Sequence, residues 1–197
     1  QQYDELAYSN SMSYFAKKFP ELTFAFFDKL TGKKNEHETF TALREEKNID
    51  LLFYNSKRIV VVENKIKSGI NNIRKEKGEM ISQLNDYVKA VKEIKKDKKI
   101  ENADEYYFFL APNYVQVDKL LSFKYKKNGK EEVVQYKMID LLNFKYKEEN
   151  IEYKLIRYKD VYDFLIGWRE NVYGNDPLFN QFVQSLKIHT TPFDDGM

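Results

Sequence analysis

Cysteine is absent from this 197-residue chain, so neither a disulfide nor a thiolate metal site is available to it. Histidine is scarce: His37 and His189 are the only two, and without cysteines they leave no recognisable zinc-ligand pattern. A Ser-His-Asp hydrolase would have to use one of them. Neither a nucleophile elbow nor a Walker-type glycine-rich loop is present, so acyl transfer and nucleotide hydrolysis have no positive support. No apolar run approaches the ~20 residues that a membrane-spanning helix needs, and no basic-then-apolar leader opens the sequence. A reducing cytoplasm is therefore the expected compartment, with no membrane partner. The first residue is Gln1 rather than Met, which leaves room for processing or for a longer parent with a further domain. Excess charge of one sign is also missing. The 33 basic and 31 acidic residues leave a formal charge of +2, which argues against gripping nucleic acid by bulk electrostatics. Only Arg44, Arg58, Arg74, Arg157 and Arg169 are arginines, which favours phosphate contact by lysine over elaborate base readout.

What is present suffices for a globular domain: 42% of residues are hydrophobic and 32% charged, in a chain long enough for one sizeable core. Apolar spacing predicts a helix over 5–18 and another from Pro20 to Leu30, capped by Gly32. Residues 39–46, 49–54 and 58–66 read as three strands joined by tight turns at Lys47-Asn48 and at 55–58. The glycines and charges of 67–79 predict a mobile loop able to close over substrate. Met80, Ile81, Leu84, Val88, Val91 and Ile94 recur with helical period and predict a core-facing stripe. Tyr106 to Leu110 reads as a further buried strand ended by Pro112, lying beside the hairpin. Asn128-Gly129 predicts a second hairpin between 123–125 and 133–136. Its aromatic and basic alternation, Phe123-Lys124-Tyr125-Lys126-Lys127, could stack bases, although such hairpins more commonly bury their aromatics and solvate their lysines. Two C-terminal helices follow, one with Val161, Phe164, Leu165 and Trp168 on a face, the other opened by Asp176-Pro177. Lys89, Lys92, Lys95, Lys96, Lys98 and Lys99 read as a solvated helix face.

The chemistry-bearing stretch is Ile59-Val60-Val61-Val62-Glu63-Asn64-Lys65, an apolar β-branched run ending in an acid, an amide and a base. Alternation along a strand puts Glu63 and Lys65 on one face and Val62 and Asn64 on the other. Closing the hairpin brings Asp50 next to Glu63. Taken alone, Glu-x-Lys at a strand end is common and usually means a solvated ion pair worth ~0 to 1 kcal/mol. Gln83 and Tyr87, four residues apart, share one face of the following helix.

An acid, a hairpin, Glu63-x-Lys65 and a helix bearing Gln83-x-x-x-Tyr87 together resemble the PD-(D/E)xK nuclease superfamily, most closely its RecB-like branch with a Q-x-x-x-Y element. The phrase from Glu63 to Gly69, with Ser82-Gln83-Leu84 after it, is similar to a bacterial subgroup. The resemblance covers roughly the first three fifths of the chain. It implies an α/β fold with a restriction-endonuclease-like αβββαβ core, a mixed central sheet flanked by helices. The expectation is one domain over 1–197, with this core at about 1–115 and the added hairpin and C-terminal helices at about 116–197. It also implies a metal-dependent deoxyribonuclease in restriction, repair or defence against foreign DNA, with Mg²⁺ as cofactor and Mn²⁺ as substitute. Asp50, Glu63 and the backbone carbonyl of Asn64 would hold the metal, Lys65 would serve the attacking water, and Gln83 and Tyr87 would face the pocket. One of Glu5, Glu45 or Glu46 is a candidate auxiliary ligand. The expected partner is nucleic acid, DNA rather than RNA, with a homodimer or partner subunit left open. The alternative is a nuclease-fold module that binds or assembles without cleaving.

Overall fold

The computed structural model describes residues 2–34, 38–66, 74–76, 79–116, 122–127, 130–135, 144–145, 152–171 and 173–191. Two helices, α1 (Gln2–Lys18) and α2 (Pro20–Thr31), open the chain. Pro20 sits in the first turn of α2, and Gly32 ends it with a left-handed φ of 68° that glycine, lacking a Cβ, adopts without strain. Three antiparallel strands follow: β1 (Thr41–Glu46), β2 (Ile49–Tyr54) and β3 (Arg58–Asn64). Lys47 and Asn48 both have positive φ, as a two-residue hairpin loop of matching twist requires. The β2–β3 turn is held by Asn55, whose Oδ1 accepts the backbone N–H groups of Lys57 and Arg58.

Two short strands, β4 (Arg74–Glu76) and β5 (Glu79–Ile81), pair as a hairpin before helix α3 (Gln83–Lys98) and strand β6 (Asp104–Ala111). Part of the expected loop at 67–79 is thus ordered as β-structure, and its residues 67–73 and 77–78 lie outside the described residues. Met80 and Ile81 belong to β5 and not to the helical stripe, because Ser82 caps α3: its Oγ accepts the Leu84 N–H while Asn85 Oδ1 accepts the Ser82 N–H. Strands β7 (Ser122–Lys127) and β8 (Lys130–Gln135) form the expected second hairpin as a separate two-stranded sheet, with its Asn128-Gly129 turn outside the described residues.

Strands β9 (Phe144–Lys145) and β10 (Glu152–Arg157) had no counterpart among the expected elements. The central sheet has the order β1-β2-β3-β6-β10-β9, with β3, β6 and β10 mutually parallel and both flanks antiparallel. It therefore extends well past residue 115. Beyond it run helix α4 (Tyr158–Asn171), helix α5 (Pro177–Leu186) and a 3₁₀ turn at Lys187–His189. Asp176 caps α5 by accepting the Phe179 N–H at 2.9 Å.

All seven residues of β3 are buried, as expected for a strand covered on both faces. Val60 and Val62 face a core built with Phe15 of α1, Phe27 of α2, Val161 of α4 and Phe182 of α5. Ile59 and Val61 face a second core with Leu84, Val88, Val91 and Ile94 of α3. The fold is an α/β arrangement with a mixed open sheet flanked by helices. Among the described residues no helix is long and apolar enough to cross a membrane.

Candidate active site

Because β3, β6 and β10 are parallel, their carboxyl ends open at one rim of the sheet, and the charged end of β3 lies there. The β2–β3 ladder pairs Leu51 with Val62, so one further step sets Asp50 opposite Glu63. Asp50 Oδ2 accepts the Asn64 backbone N–H at 3.0 Å. The hairpin thus brings the two acids together as its register dictates.

Glu63 is fully buried. Its carboxylate receives three donors: Lys65 Nζ at 2.6 Å and Gln83 Nε2 on Oε1, and the Tyr87 hydroxyl at 2.6 Å on Oε2. Gln83 Nε2 also donates to Tyr87 Oη at 3.1 Å, so the pair from α3 acts as one clamp on the acid. The first turn of α3 is fixed over the sheet by Tyr153 of β10, whose hydroxyl donates to the Leu84 carbonyl at 3.0 Å. The side chains at the strand end part by face: Glu63 meets α3, while Asn64 faces α1 and α4. Asn64 Nδ2 donates to the Glu5 carbonyl and to Ser9 Oγ, both at 3.2 Å, and Oδ1 accepts the Tyr158 hydroxyl at 2.8 Å.

Burial, reinforced by the charge of Asp50, pushes the Glu63 carboxyl from its ordinary 4.5 up to about 7, against the pull of Lys65 and the Tyr87 hydroxyl. Burial likewise raises Asp50, although Lys65, the Asn64 N–H and a hydrogen bond with Glu63 oppose it. Each acid thus bears on the other across the hairpin. For Lys65, burial works against the charged form, but Glu63, Asp50 and Glu5 outweigh it and hold the group above 10.5. The Tyr87 hydroxyl is raised, first by burial and then by Glu63, so it stays a donor.

Of the three candidate auxiliary acids, Glu5 reaches the rim: its Oε1 accepts the Ile66 N–H at 2.7 Å and its charge acts on Asp50 and Lys65. Glu45 falls in register with Asp50, but its backbone is left-handed, with φ 53°, and its exposed carboxylate meets Arg44 instead. Glu46 pairs with Ile49 across the β1–β2 turn, one step along the strand from Asp50. His189 is buried between Tyr8, Tyr114 and Tyr158, and His37 lies outside the described residues.

Ser9, Tyr153 and Tyr158 join the surroundings of the site without having been singled out in the sequence. The signal for β10 and its neighbour Tyr158 was available in Ile151-Glu152-Tyr153-Lys154-Leu155, which alternates apolar and polar residues with the period of a strand. Among the described residues, no group of three or more His, Cys, Asp or Glu side chains is gathered so as to hold a metal ion by itself. Comparison of the chain with protein-family models, with curated proteins and with solved structures gave no match.

Proposed function

We propose that the chain is a Mg²⁺-dependent phosphodiesterase of the PD-(D/E)xK type that cuts DNA, built on a restriction-endonuclease-like core of the RecB-like branch. The observation that carries this reading is the register that sets Asp50 against Glu63, with Lys65, Gln83 and Tyr87 all bonded to the Glu63 carboxylate. A solvated surface ion pair, the ordinary meaning of Glu-x-Lys, would not bury its acid completely or surround it with donors from a second element.

The donor set fits a hard divalent cation. Two buried carboxylates whose pKa values are both raised in the metal-free protein offer oxygen ligands to a cation that would replace the bound proton. Asp50 and Glu63 would hold it. Asn64 presents its N–H to Asp50, and in a ladder a residue's C=O leaves by the same edge as its N–H, which puts the Asn64 carbonyl on the acid side. With two protein carboxylates, the rest of an octahedral shell falls to water and substrate oxygens, the usual Mg²⁺ arrangement. Bound there, Mg²⁺ would neutralise charge on the phosphate and lower the pKa of water.

The chain's own residues then divide the work. Lys65, paired with Glu63 at 2.6 Å, would orient the attacking water or a phosphate oxygen. Gln83 and Tyr87 fix the rotamer of Glu63 so that its carboxylate keeps one orientation through the reaction. Asn64, clamped on the opposite face, holds the strand end in register.

A second reading, a nuclease-fold module that binds without cutting, draws on the same three donors, which satisfy Glu63 with no metal at all. Labelled linear, circular and single-stranded DNA incubated with Mg²⁺, Mn²⁺ or EDTA separates the two. Cleavage with either metal, lost in EDTA and in Glu63→Gln, is expected. Binding without cleavage under every condition would favour the module.

A further inference from the structure

We propose that Arg157 forms a phosphate-binding subsite at the same sheet rim, holding the polynucleotide backbone beside the carboxylate pair. This rests on the nuclease reading above and adds to it a residue that the motif does not contain.

Position comes from the ladder. Asn64 pairs with Leu110 and Leu110 with Ile156; one residue on, Ala111 pairs with Arg157, while the Lys65 N–H donates to the Leu110 carbonyl at 2.9 Å. Lys65, Ala111 and Arg157 therefore occupy one row across three parallel strands. With strands ~4.8 Å apart, the Cα atoms of Lys65 and Arg157 stand about 10 Å from each other. Alternation in β10 gives Arg157 the face of Tyr153 and Leu155, which is the α3 face that also carries Glu63. Two cations thus stand in one row at the rim, on the side where the acids lie.

Charge balance supplies the second observation. Arg44, Arg58 and Arg169 each face a carboxylate, at 3.5, 2.8 and 3.7 Å. Arg157, half-buried, has none among the described residues. Its Nη1 donates to two neutral carbonyls, Pro112 at 2.7 Å and Val115 at 3.0 Å, in the segment that follows β6. The nearby acid Asp160 spends its Oδ2 on the Arg157 backbone N–H. The two carbonyls fix the guanidinium plane and leave the Nε–Nη2 edge, the fork that matches two phosphate oxygens, without a partner among the described residues. Burial depresses the guanidinium pKa, and the charge of Asp160 only partly offsets it.

The test is DNA affinity across a salt series, in EDTA and again in Ca²⁺, for the wild-type protein, Arg157→Gln and Arg157→Lys. Glutamine keeps an N–H₂ group for the carbonyls but loses the charge. Arg157→Gln is expected to bind roughly tenfold more weakly, and one phosphate contact fewer lowers the slope of log Kobs against log salt by about 0.9 for duplex or 0.7 for single strands. Its Tm should match wild type, and Arg157→Lys should retain the slope. An unchanged slope in Arg157→Gln, with wild type still binding and cutting, overturns the subsite alone. A loss of affinity that tracks a fall in Tm also overturns it, in favour of a staple. If wild type neither binds nor cuts any polynucleotide, the nuclease reading falls and the subsite falls with it.

Discussion

Glu63→Gln isolates the electrostatic cost of the site. Glu63 is completely buried beside Asp50, and its carboxyl is raised from 4.5 to about 7. The folded protein therefore keeps this proton up to about pH 7, whereas the unfolded chain releases it near 4.5. Between those values the folded state binds more protons at this site, so the contribution of Glu63 to stability is fullest below pH 4.5, declines as pH rises and levels off above pH 7. A rise of about 2.5 units corresponds to about 3 kcal/mol lost across that window. For a chain of this length that is roughly 6 to 12 °C in Tm. Asp50, raised in the same direction, adds to the decline. Lys65, held above 10.5, does not titrate in the window and contributes no slope there. Thermal unfolding in EDTA from pH 4.5 to 8 should show wild-type Tm falling while Glu63→Gln follows a flatter line. Mg²⁺ should raise wild-type Tm more at pH 8 than at pH 5, where the proton competes for the same oxygens. A wild-type Tm that climbs over this range, or a Glu63→Gln curve parallel to wild type, refutes the reasoning.

Lys65→Ala should lower the single-turnover cleavage rate by ~10² or more while metal affinity and DNA binding change little, as for a lost electrostatic contribution; an unchanged rate with altered metal affinity, read by calorimetry, would reduce Lys65 to a counter-ion of Glu63. Tyr158→Phe leaves Asn64 Oδ1 without its 2.8 Å donor in a fully buried position and should cost about 1 to 3 kcal/mol in urea unfolding. Asp28→Ala strips the carboxylate from Arg58, whose side chain is 4% exposed, and should cost about 3 kcal/mol, the low end for a broken buried pair because Asp28 itself is partly exposed and Thr31 and the Lys33 carbonyl still accept from the guanidinium. Urea midpoints equal to wild type would show that those neighbours carry the interaction.

The parts of the site that could be read from sequence were those fixed by local rules. Strand alternation placed Glu63 and Asn64 on opposite faces, the 55–58 turn set the register that delivers Asp50, and helical spacing put Gln83 and Tyr87 on one face. The start of α3 was misplaced because Met80 and Ile81 happen to continue the apolar period, while the competing signal, a Ser82 cap with Asn85 three residues on, is local and polar. What could not be read was set by contacts between segments far apart in the chain. Tyr158 meets Asn64 across 94 residues and Tyr8 reaches the Ser185 carbonyl across 177; no periodicity specifies such pairs. The parallel pairing of β10 with β6 is of the same kind, since a strand far along the chain can join a sheet at either edge until the whole packing is known.

That division explains why the end of β3 is so firmly held. A buried acid raised to about 7 is a local liability, and a strand end free to shift would let it move towards solvent. Here the odd-numbered residue is gripped by α3 through Gln83 and Tyr87, and the even-numbered one by α1 and α4 through Ser9, the Glu5 carbonyl and Tyr158. Neither grip can slip by one residue without exchanging the two side chains between faces and breaking both sets of bonds. The even-numbered contacts therefore supply the constraint that keeps Glu63 buried beside Asp50 and within reach of its three donors.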